Sequence, residues 1–380
     1  MGDQGAQSKV NRKAFASKLY YGSGCFVLFF VAAAASFNGY YGKWRLREIG
    51  ANGPSDFSFE TMMDGTAARP FVYRQLLPML ANWVDQRVPE QTKNRLFAAN
   101  SRVGIAPWKP FPLWSNGQSR AYFLRYLVVY FAVFLFAWIS VYAMFLVCKS
   151  VGYAPPTAAL SAIVVILLMP YFMTIGGYFY DYPELAFLAL AVWMALNFEW
   201  WWMIPIVALA TCNKESFLLF IPALYPLLRR RRSRIHALVG AGTLGLTCAA
   251  VYCVLRLHFQ HNPGATVELH FIDQIQSMFH PSMWFQPEWT YSMELIRSFN
   301  PLSIALAVWT LWRGWRTLPK AIQRHAQIAA AINLPLYFLF CVPGELRDLS
   351  FLYVTFLLLI AANLTGWSSG QDMTATGITA

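Results

Sequence analysis

The stretch "MIPIVALATCNKESFLLFIPALYPLLRRRRSR" (203–234) decides how the chain is threaded through a membrane. It is apolar for about 26 residues, except for "CNKES" at 212–216, and it ends in arginines at 229–232 and 234. One continuous helix that starts in the cytoplasm would carry these arginines to the outside, although Lys and Arg favour cytoplasmic loops. A break at "CNKES" gives a hairpin of two short helices and returns the arginines to the cytoplasm. We therefore predict a broken-helix hairpin with an outward polar tip; the alternative is a continuous helix with external arginines.

The composition outside this stretch is that of a polytopic membrane protein. Of 380 residues, 57% are hydrophobic and only 13% are charged, a charged fraction well below that of soluble domains. Apolar runs of about 20 residues recur along the chain, and such runs cross a bilayer as helices. The net charge of +12 lies in short clusters between these runs, which indicates cytoplasmic loops near membrane lipids and argues against nucleic acid as a partner. We predict an all-α membrane bundle.

The same charge rule orients the remaining segments and places both termini in the cytoplasm. We predict a single membrane domain over 1–366, a long first outer loop at about 40–120 with interfacial helices, a second outer loop at 258–298 and a disordered cytoplasmic tail at 367–380. Besides the hairpin, the predicted membrane segments are 19–37, 121–148, 157–178, 184–198, 236–257, 299–312, 326–342 and 349–366.

This threading places several short polar clusters on the outer side of the membrane. They are Asp64, Arg69 and Arg74 in the first loop; Asp181 and Glu184; Lys214 and Glu215 at the hairpin tip; and Glu345, Arg347 and Asp348. A cavity lined by carboxylates and cations suits an amphiphilic anionic substrate. Each cluster also has a purely structural explanation, as a helix cap, an internal ion pair or a turn.

The segment "DGTAARPFVYRQLLP" (64–78) supplies the largest of these clusters. Apolar residues recur with helical spacing after Phe71, which predicts an amphipathic helix in the membrane interface, begun by Pro70 and broken or kinked at Pro78. Arg69, Tyr73 and Arg74 would then lie at the height of lipid phosphates. Asp64 precedes a glycine in a predicted turn that the same cavity can reach.

The layout resembles that of the GT-C superfamily of membrane glycosyltransferases. The shared features are a first helix, a long outer loop with an acidic residue and interfacial helices, and short broken helices; "ATCNKESFLLFIPALYPLL" is similar to a segment common in that superfamily, and "RPFVYRQLLP" and "GELRDLSFL" resemble segments of bacterial relatives. The resemblance implies an integral protein of the bacterial inner membrane that transfers a sugar on its outer face, with Asp64 as catalytic base. The family often has a paired acidic motif where this chain has Asp-Gly, so Asp56 and Glu60 stay open as alternatives.

The expected partners follow from this resemblance and from the residue types. A polyprenyl-phosphate-linked sugar is the donor, a glycan, lipid or protein is the acceptor, and Arg69, Tyr73, Arg74, Asp181, Lys214, Glu215, Glu345 and Arg347 bind substrate. A base must accept the proton of the acceptor hydroxyl, and arginines bind phosphate in a bidentate fork. The alternatives are a lipid-linked polysaccharide polymerase or ligase, and a transporter or flippase.

No cofactor is expected from these residues. Four histidines (258, 261, 270 and 280), with Glu268 and Asp273, lie in the second outer loop and offer a divalent-metal site as the alternative. They have no evident rigid ligand geometry.

Overall fold

The computed structural model describes residues 3–47, 57–102, 111, 115–174, 176–265 and 269–368. These residues are mostly helical, as predicted, with one small pair of strands. The α-helices are α1 (Asp3–Trp44), α2 (Phe59–Met63), α3 (Leu76–Arg87), α4 (Glu90–Arg102), α5 (Phe123–Val151), α6 (Pro155–Phe172), α7 (Asp181–Asn197), α8 (Ile204–Asn213), α9 (Phe217–Arg229), α10 (Arg234–His258), α11 (Phe271–Met278), α12 (Pro281–Trp284), α13 (Pro301–Gly314), α14 (Lys320–Phe340) and α15 (Tyr353–Ser368). The strands are β1 (Pro287–Thr290) and β2 (Met293–Ile296).

Five stretches in the described part of the chain are long and apolar enough to cross a membrane. They are Gly22–Trp44, Phe123–Val151, Pro155–Phe172, Arg234–His258 and Leu346–Gly366. The sequence also predicts membrane segments at α7, α8, α9 and α13, but each of these helices is shorter than any of the five stretches. The coarse prediction of a helical chain with several membrane-crossing helices is therefore confirmed.

The long helix α5 is the centre of the bundle. It packs against α1, α3, α6 and α7, and its inward residues Val129, Val133, Ala137 and Val141 are fully buried. It ends at Gly152, whose φ of 112° lies in the left-handed region that favours glycine. Pro155 then begins α6, so the chain reverses within a short turn.

One end of the bundle is basic. Asn197, at the end of α7, donates to Ser150 Oγ (2.7 Å) at the end of α5, and Arg231, just after α9, donates to the Asn197 carbonyl (2.9 Å). Arg232 forms an ion pair with Glu199 nearby. We call this the basic end; α5, α7 and α9 all finish there and α10 begins there.

The opposite end, where α7 and α9 begin, is called the polar end. Trp44 Nε1 donates to the Met173 carbonyl (2.7 Å), which places the end of α1 beside the end of α6. Asn300 Nδ2 donates to Tyr171 Oη (3.1 Å), so α13 begins there as well. The polar clusters of the sequence thus collect at one end of the helices.

The helix of 203–234 is interrupted where the sequence predicts it. Asn213 ends α8, Phe217 begins α9, and Lys214 between them has extended backbone angles. The prediction for Pro78 is wrong, however. Pro78 lies in the first turn of α3, where a missing N–H costs no intrahelical hydrogen bond. The chain instead changes direction earlier, at Arg74 and Gln75, between the 3₁₀ turn Phe71–Tyr73 and α3.

The small sheet is the exception to the predicted all-α fold. Strands β1 and β2 pair antiparallel, and the two turn residues, Tyr291 and Ser292, both have positive φ. The Tyr291 ring packs where a Cβ on Gly39 of α1 would lie, and its hydroxyl donates to the Leu167 carbonyl of α6 (2.6 Å). A Lys43–Glu288 ion pair (3.0 Å) holds the hairpin against α1. This part of the predicted second outer loop is therefore built into the bundle.

Candidate functional site

Arg347 is the centre of a buried ionic cluster at the polar end. It lies in the 3₁₀ segment Leu346–Leu352 that leads into α15. Its guanidinium donates to Asp181 Oδ1 (3.1 Å) in the first turn of α7 and, from Nε, to Glu345 Oε1 (3.0 Å). The group also lies over the Tyr178 ring, 4.7 Å from its centroid. Arg347 and Asp181 are both buried, so each compensates the charge that the other brings into the interior.

Lys214 joins the interrupted helix to the same cluster. Its ammonium donates to Glu184 Oε2 and to Asp348 Oδ1, each at 2.9 Å. Ser350 Oγ donates to the other oxygen of Glu184 (2.6 Å). Lys214, whose extended backbone interrupts the helix, is therefore held at the break by two buried carboxylates.

Arg74 forms the third part of the cluster, and its contacts with its carboxylate partner are long. It donates to both carboxylate oxygens of Glu215, at 3.4 and 3.5 Å, which is at the long limit for a hydrogen bond. It also contacts the hydroxyl and the ring face of Tyr180. Glu215 keeps 21% of its side-chain surface exposed, so this pair lies at the edge of the cluster.

The cluster contains more carboxylates than cations. Arg74, Lys214 and Arg347 contact five acidic residues, namely Asp181, Glu184, Glu215, Glu345 and Asp348. Burial raises the pKa of Glu345 above its ordinary value, although the adjacent Arg347 guanidinium opposes the shift. The Tyr178 and Tyr180 rings stack at 4.9 Å and form an aromatic wall beside the two arginines.

Asp64 lies apart from this cluster. It follows α2, and its carboxylate accepts hydrogen bonds from the Tyr122 hydroxyl and from Arg125 Nη1 (3.1 Å), both at the start of α5. Gly65 has a φ of 71°, as the predicted turn requires. With 38% of its side-chain surface exposed, Asp64 is the most accessible acidic residue of the predicted set.

The two other predicted residues of the first loop have different surroundings. Arg69 donates to the backbone carbonyls of Gln260 (3.5 Å) and Gly264 (2.8 Å) beyond α10. Among the described residues, its hydrogen-bond acceptors are thus neutral, and its charge is not balanced by a carboxylate. Tyr73 is buried, and its ring meets the Tyr252 ring edge to face at 6.0 Å.

Of the two alternative acidic residues of the first loop, Glu60 does not offer an accessible base. Glu60 is 3% exposed and accepts hydrogen bonds from Asn116 (2.9 Å) and the Tyr126 hydroxyl. Asp56 lies outside the described residues.

Of the predicted metal ligands, Glu268 lies outside the described residues as well. Within the described residues, no three His, Cys, Asp or Glu side chains come together as a metal site would require.

Sequence reasoning missed the residues that surround the predicted ones. Tyr122 and Arg125 begin an apolar helix, and nothing in their spacing connects them with Asp64, 58 and 61 positions earlier. The rings of Tyr178 and Tyr180 belong to "YFYDYPE", whose tyrosines the sequence assigns equally well to a membrane interface.

Comparison of the chain with protein families, with characterised proteins and with solved structures gives no match. The geometry of the polar end therefore carries the functional argument.

Proposed function

We propose that this chain is a membrane glycosyltransferase that uses a polyprenyl-phosphate-linked sugar and acts at the polar end of the bundle. One observation supports the proposal above all: at the carboxylate-rich end of the helices, Asp64 keeps an accessible carboxylate, and Arg69 donates only to neutral carbonyls among the described residues. Sugar transfer needs a base for the acceptor and cations for the departing phosphate.

The distribution of charge supports an outer position for this end. The opposite end carries the arginines at 229–232 and begins α10. Because Lys and Arg concentrate in cytoplasmic loops, the basic end would face the cytoplasm and the polar end the outer side. Polyprenyl-linked sugars presented in the outer leaflet would then reach the polar end directly.

Asp64 is the proposed base. In the reaction, the acceptor oxygen bonds to the anomeric carbon, the bond from that carbon to the phosphate oxygen breaks, and the acceptor proton passes to Asp64. Hydrogen bonds from Tyr122 and Arg125 fix the orientation of the carboxylate while more than a third of its surface stays accessible. Asp181 and Glu184 lack this accessibility, since both are almost completely buried.

Arg69 and Arg74 are the proposed ligands of the phosphate. Among the described residues, Arg69 donates only to backbone carbonyls. A bound anion would therefore interact with a positive charge that no carboxylate compensates. The long contacts between Arg74 and Glu215 allow a phosphate to replace the carboxylate on the guanidinium fork. Lys214, Glu345 and Arg347 have short internal bonds and, in this proposal, position the segments that carry the site rather than bind the donor.

The proposal is tested by bond cleavage. The purified chain, in proteoliposomes that contain a panel of polyprenyl-phosphate sugars, is mixed with solubilised bacterial envelope as the source of acceptor. We expect acceptor-dependent release of free polyprenyl phosphate from at least one donor, detected by mass spectrometry. Movement of intact donor between leaflets without cleavage would instead identify a flippase, and polymer growth on one lipid would identify a polymerase.

A further inference from the structure

Helix α11 has its apolar side turned away from the protein. Its ring and aliphatic residues recur at helical spacing and are exposed, with 68% of Ile272 and 80% of the adjoining Phe279 accessible. The other exposed apolar residues of this face are Phe271, Ile275 and Met278. A surface helix of a soluble domain has the opposite arrangement.

The polar side of α11 is attached to the end of α14. Gln274 is 1% exposed, and its amide donates to the carbonyls of Tyr337 (3.4 Å) and Cys341 (3.0 Å). The His270 N–H donates to the Leu339 carbonyl (2.8 Å). The Leu339 carbonyl lies in the last turn of α14, where helix carbonyls lack intrahelical partners, so the bond from His270 satisfies an acceptor that α14 itself leaves open. These bonds fix which side of α11 faces outward.

We propose that the apolar face of α11 is inserted into the lipid leaflet at the polar end, at the boundary between headgroups and acyl chains. Three observations support lipid as the occupant. The end of α14, to which α11 is bonded, exposes apolar residues as well, among them Phe338 and Phe340. The face of α11 lies at the end of helices that are long enough to cross a membrane. The exposed polar residues of α11, Asp273 and Gln276, lie outside the arc of helix surface that the apolar residues occupy, as an interfacial helix requires.

This insertion has a consequence for the ionic cluster. The Cys341 carbonyl accepts the bond from Gln274, and Cys341 precedes Glu345 and Arg347 closely in the sequence. Helix α11 therefore ties the cluster to the depth of the lipid headgroups. The inference depends on the fold alone and stands whether or not the chain transfers sugars.

Photocrosslinking tests the proposal. Benzoylphenylalanine is incorporated separately at positions 272, 279 and 276 of the full chain, in nanodiscs of phosphatidylethanolamine and phosphatidylglycerol doped with an alkyne-tagged phospholipid. All three side chains are exposed, so each variant is expected to fold, which thermal unfolding checks. We expect lipid adducts at 272 and 279 several-fold above those at 276.

The other outcomes are distinguishable. Equal yields at the three positions would show that the face is in water and would overturn the proposal. Adducts between two copies of the chain, or with an added soluble protein, would overturn it in favour of a protein interface. A Gln274→Leu variant adds a second check: without the bonds to α14, the difference between positions 272 and 276 should shrink.

Discussion

Replacement of Lys214 by methionine should destabilise the protein far more than loss of an ordinary lysine. Lys214 bridges Glu184 and Asp348, and all three side chains are largely buried, at 9%, 6% and 17% exposed. Methionine keeps the length of the side chain but leaves two carboxylates without their cation. Removal of one member of a buried ion pair typically costs about 3–5 kcal/mol. For a chain of 380 residues, whose entropy of unfolding is about 0.8 kcal/mol/K, that is roughly a 4–6 °C drop in Tm.

The chain contains a matched control on its surface. Lys93 also bridges two carboxylates, Asp85 at 3.1 Å and Glu90 at 2.9 Å, and the three side chains are 16%, 27% and 67% exposed, more than Lys214 and its partners. Because exposed pairs contribute about 0–1 kcal/mol, Lys93→Met should lower Tm by no more than about 2 °C. The two variants differ in burial rather than in the number of ion pairs lost.

All variants are unfolded by heat in the same detergent, and tryptophan fluorescence monitors the unfolding. A double variant, Lys214→Met with Glu184→Gln, should regain part of the lost Tm, because one of the two stranded charges is gone. Equal Tm values for Lys214→Met and Lys93→Met would refute the reasoning, since the cluster would then be as well hydrated as the surface.

Three further predictions concern the substrate site, the packing and the topology. Arg74→Lys should keep the fold but weaken donor use in the cleavage assay, because an ammonium lacks the bidentate fork; unchanged use would exclude Arg74 as phosphate ligand. Gly39→Ala should cost about 1–3 kcal/mol, because a Cβ there would lie 2.7 Å from the Tyr291 ring, and the same replacement should cost much less when it is made in a Tyr291→Gly background. A cysteine replacing Ser216 should react with an impermeant reagent from outside the cell and one replacing Ser233 only from the cytoplasm; outside labelling at position 233 would contradict the proposed orientation.

The helical architecture was readable from the sequence because membrane-crossing helices depend on local composition. Apolar runs long enough to cross a bilayer reappear as α5 and α10 within three residues of the predicted boundaries, and as α6, which ends at Phe172 rather than at the predicted residue 178. The interruption at 214–216 was readable too, since charge placement on either side requires a reversal. Pro78 was misassigned because a proline has opposite effects in the first turn and in the interior of a helix, and the sequence does not show where the helix begins.

The candidate site was predictable in part, for a related reason. Threading collects polar residues at one end but gives no distances within that end. It therefore did not distinguish the buried partners of Arg347 from the accessible Asp64, nor reveal that Arg125 pairs with Asp64 across 61 positions. The β1–β2 hairpin was also missed, because its turn residue Tyr291 packs against Gly39 and donates to the Leu167 carbonyl, and both residues are remote in sequence.

The most direct test of the proposed function compares Asp64→Asn with Asp85→Asn in the cleavage assay. Both aspartates pair with a cation, Arg125 for Asp64 and Lys93 for Asp85, and both amides are isosteric with the carboxylate they replace. With Tm matched to the unmodified chain, Asp64→Asn should release polyprenyl phosphate about 10²–10⁴ times more slowly, the usual cost of losing a general base. Asp85→Asn should release it at the unmodified rate. A folded Asp64→Asn protein with full activity would contradict the assignment of Asp64 as the base.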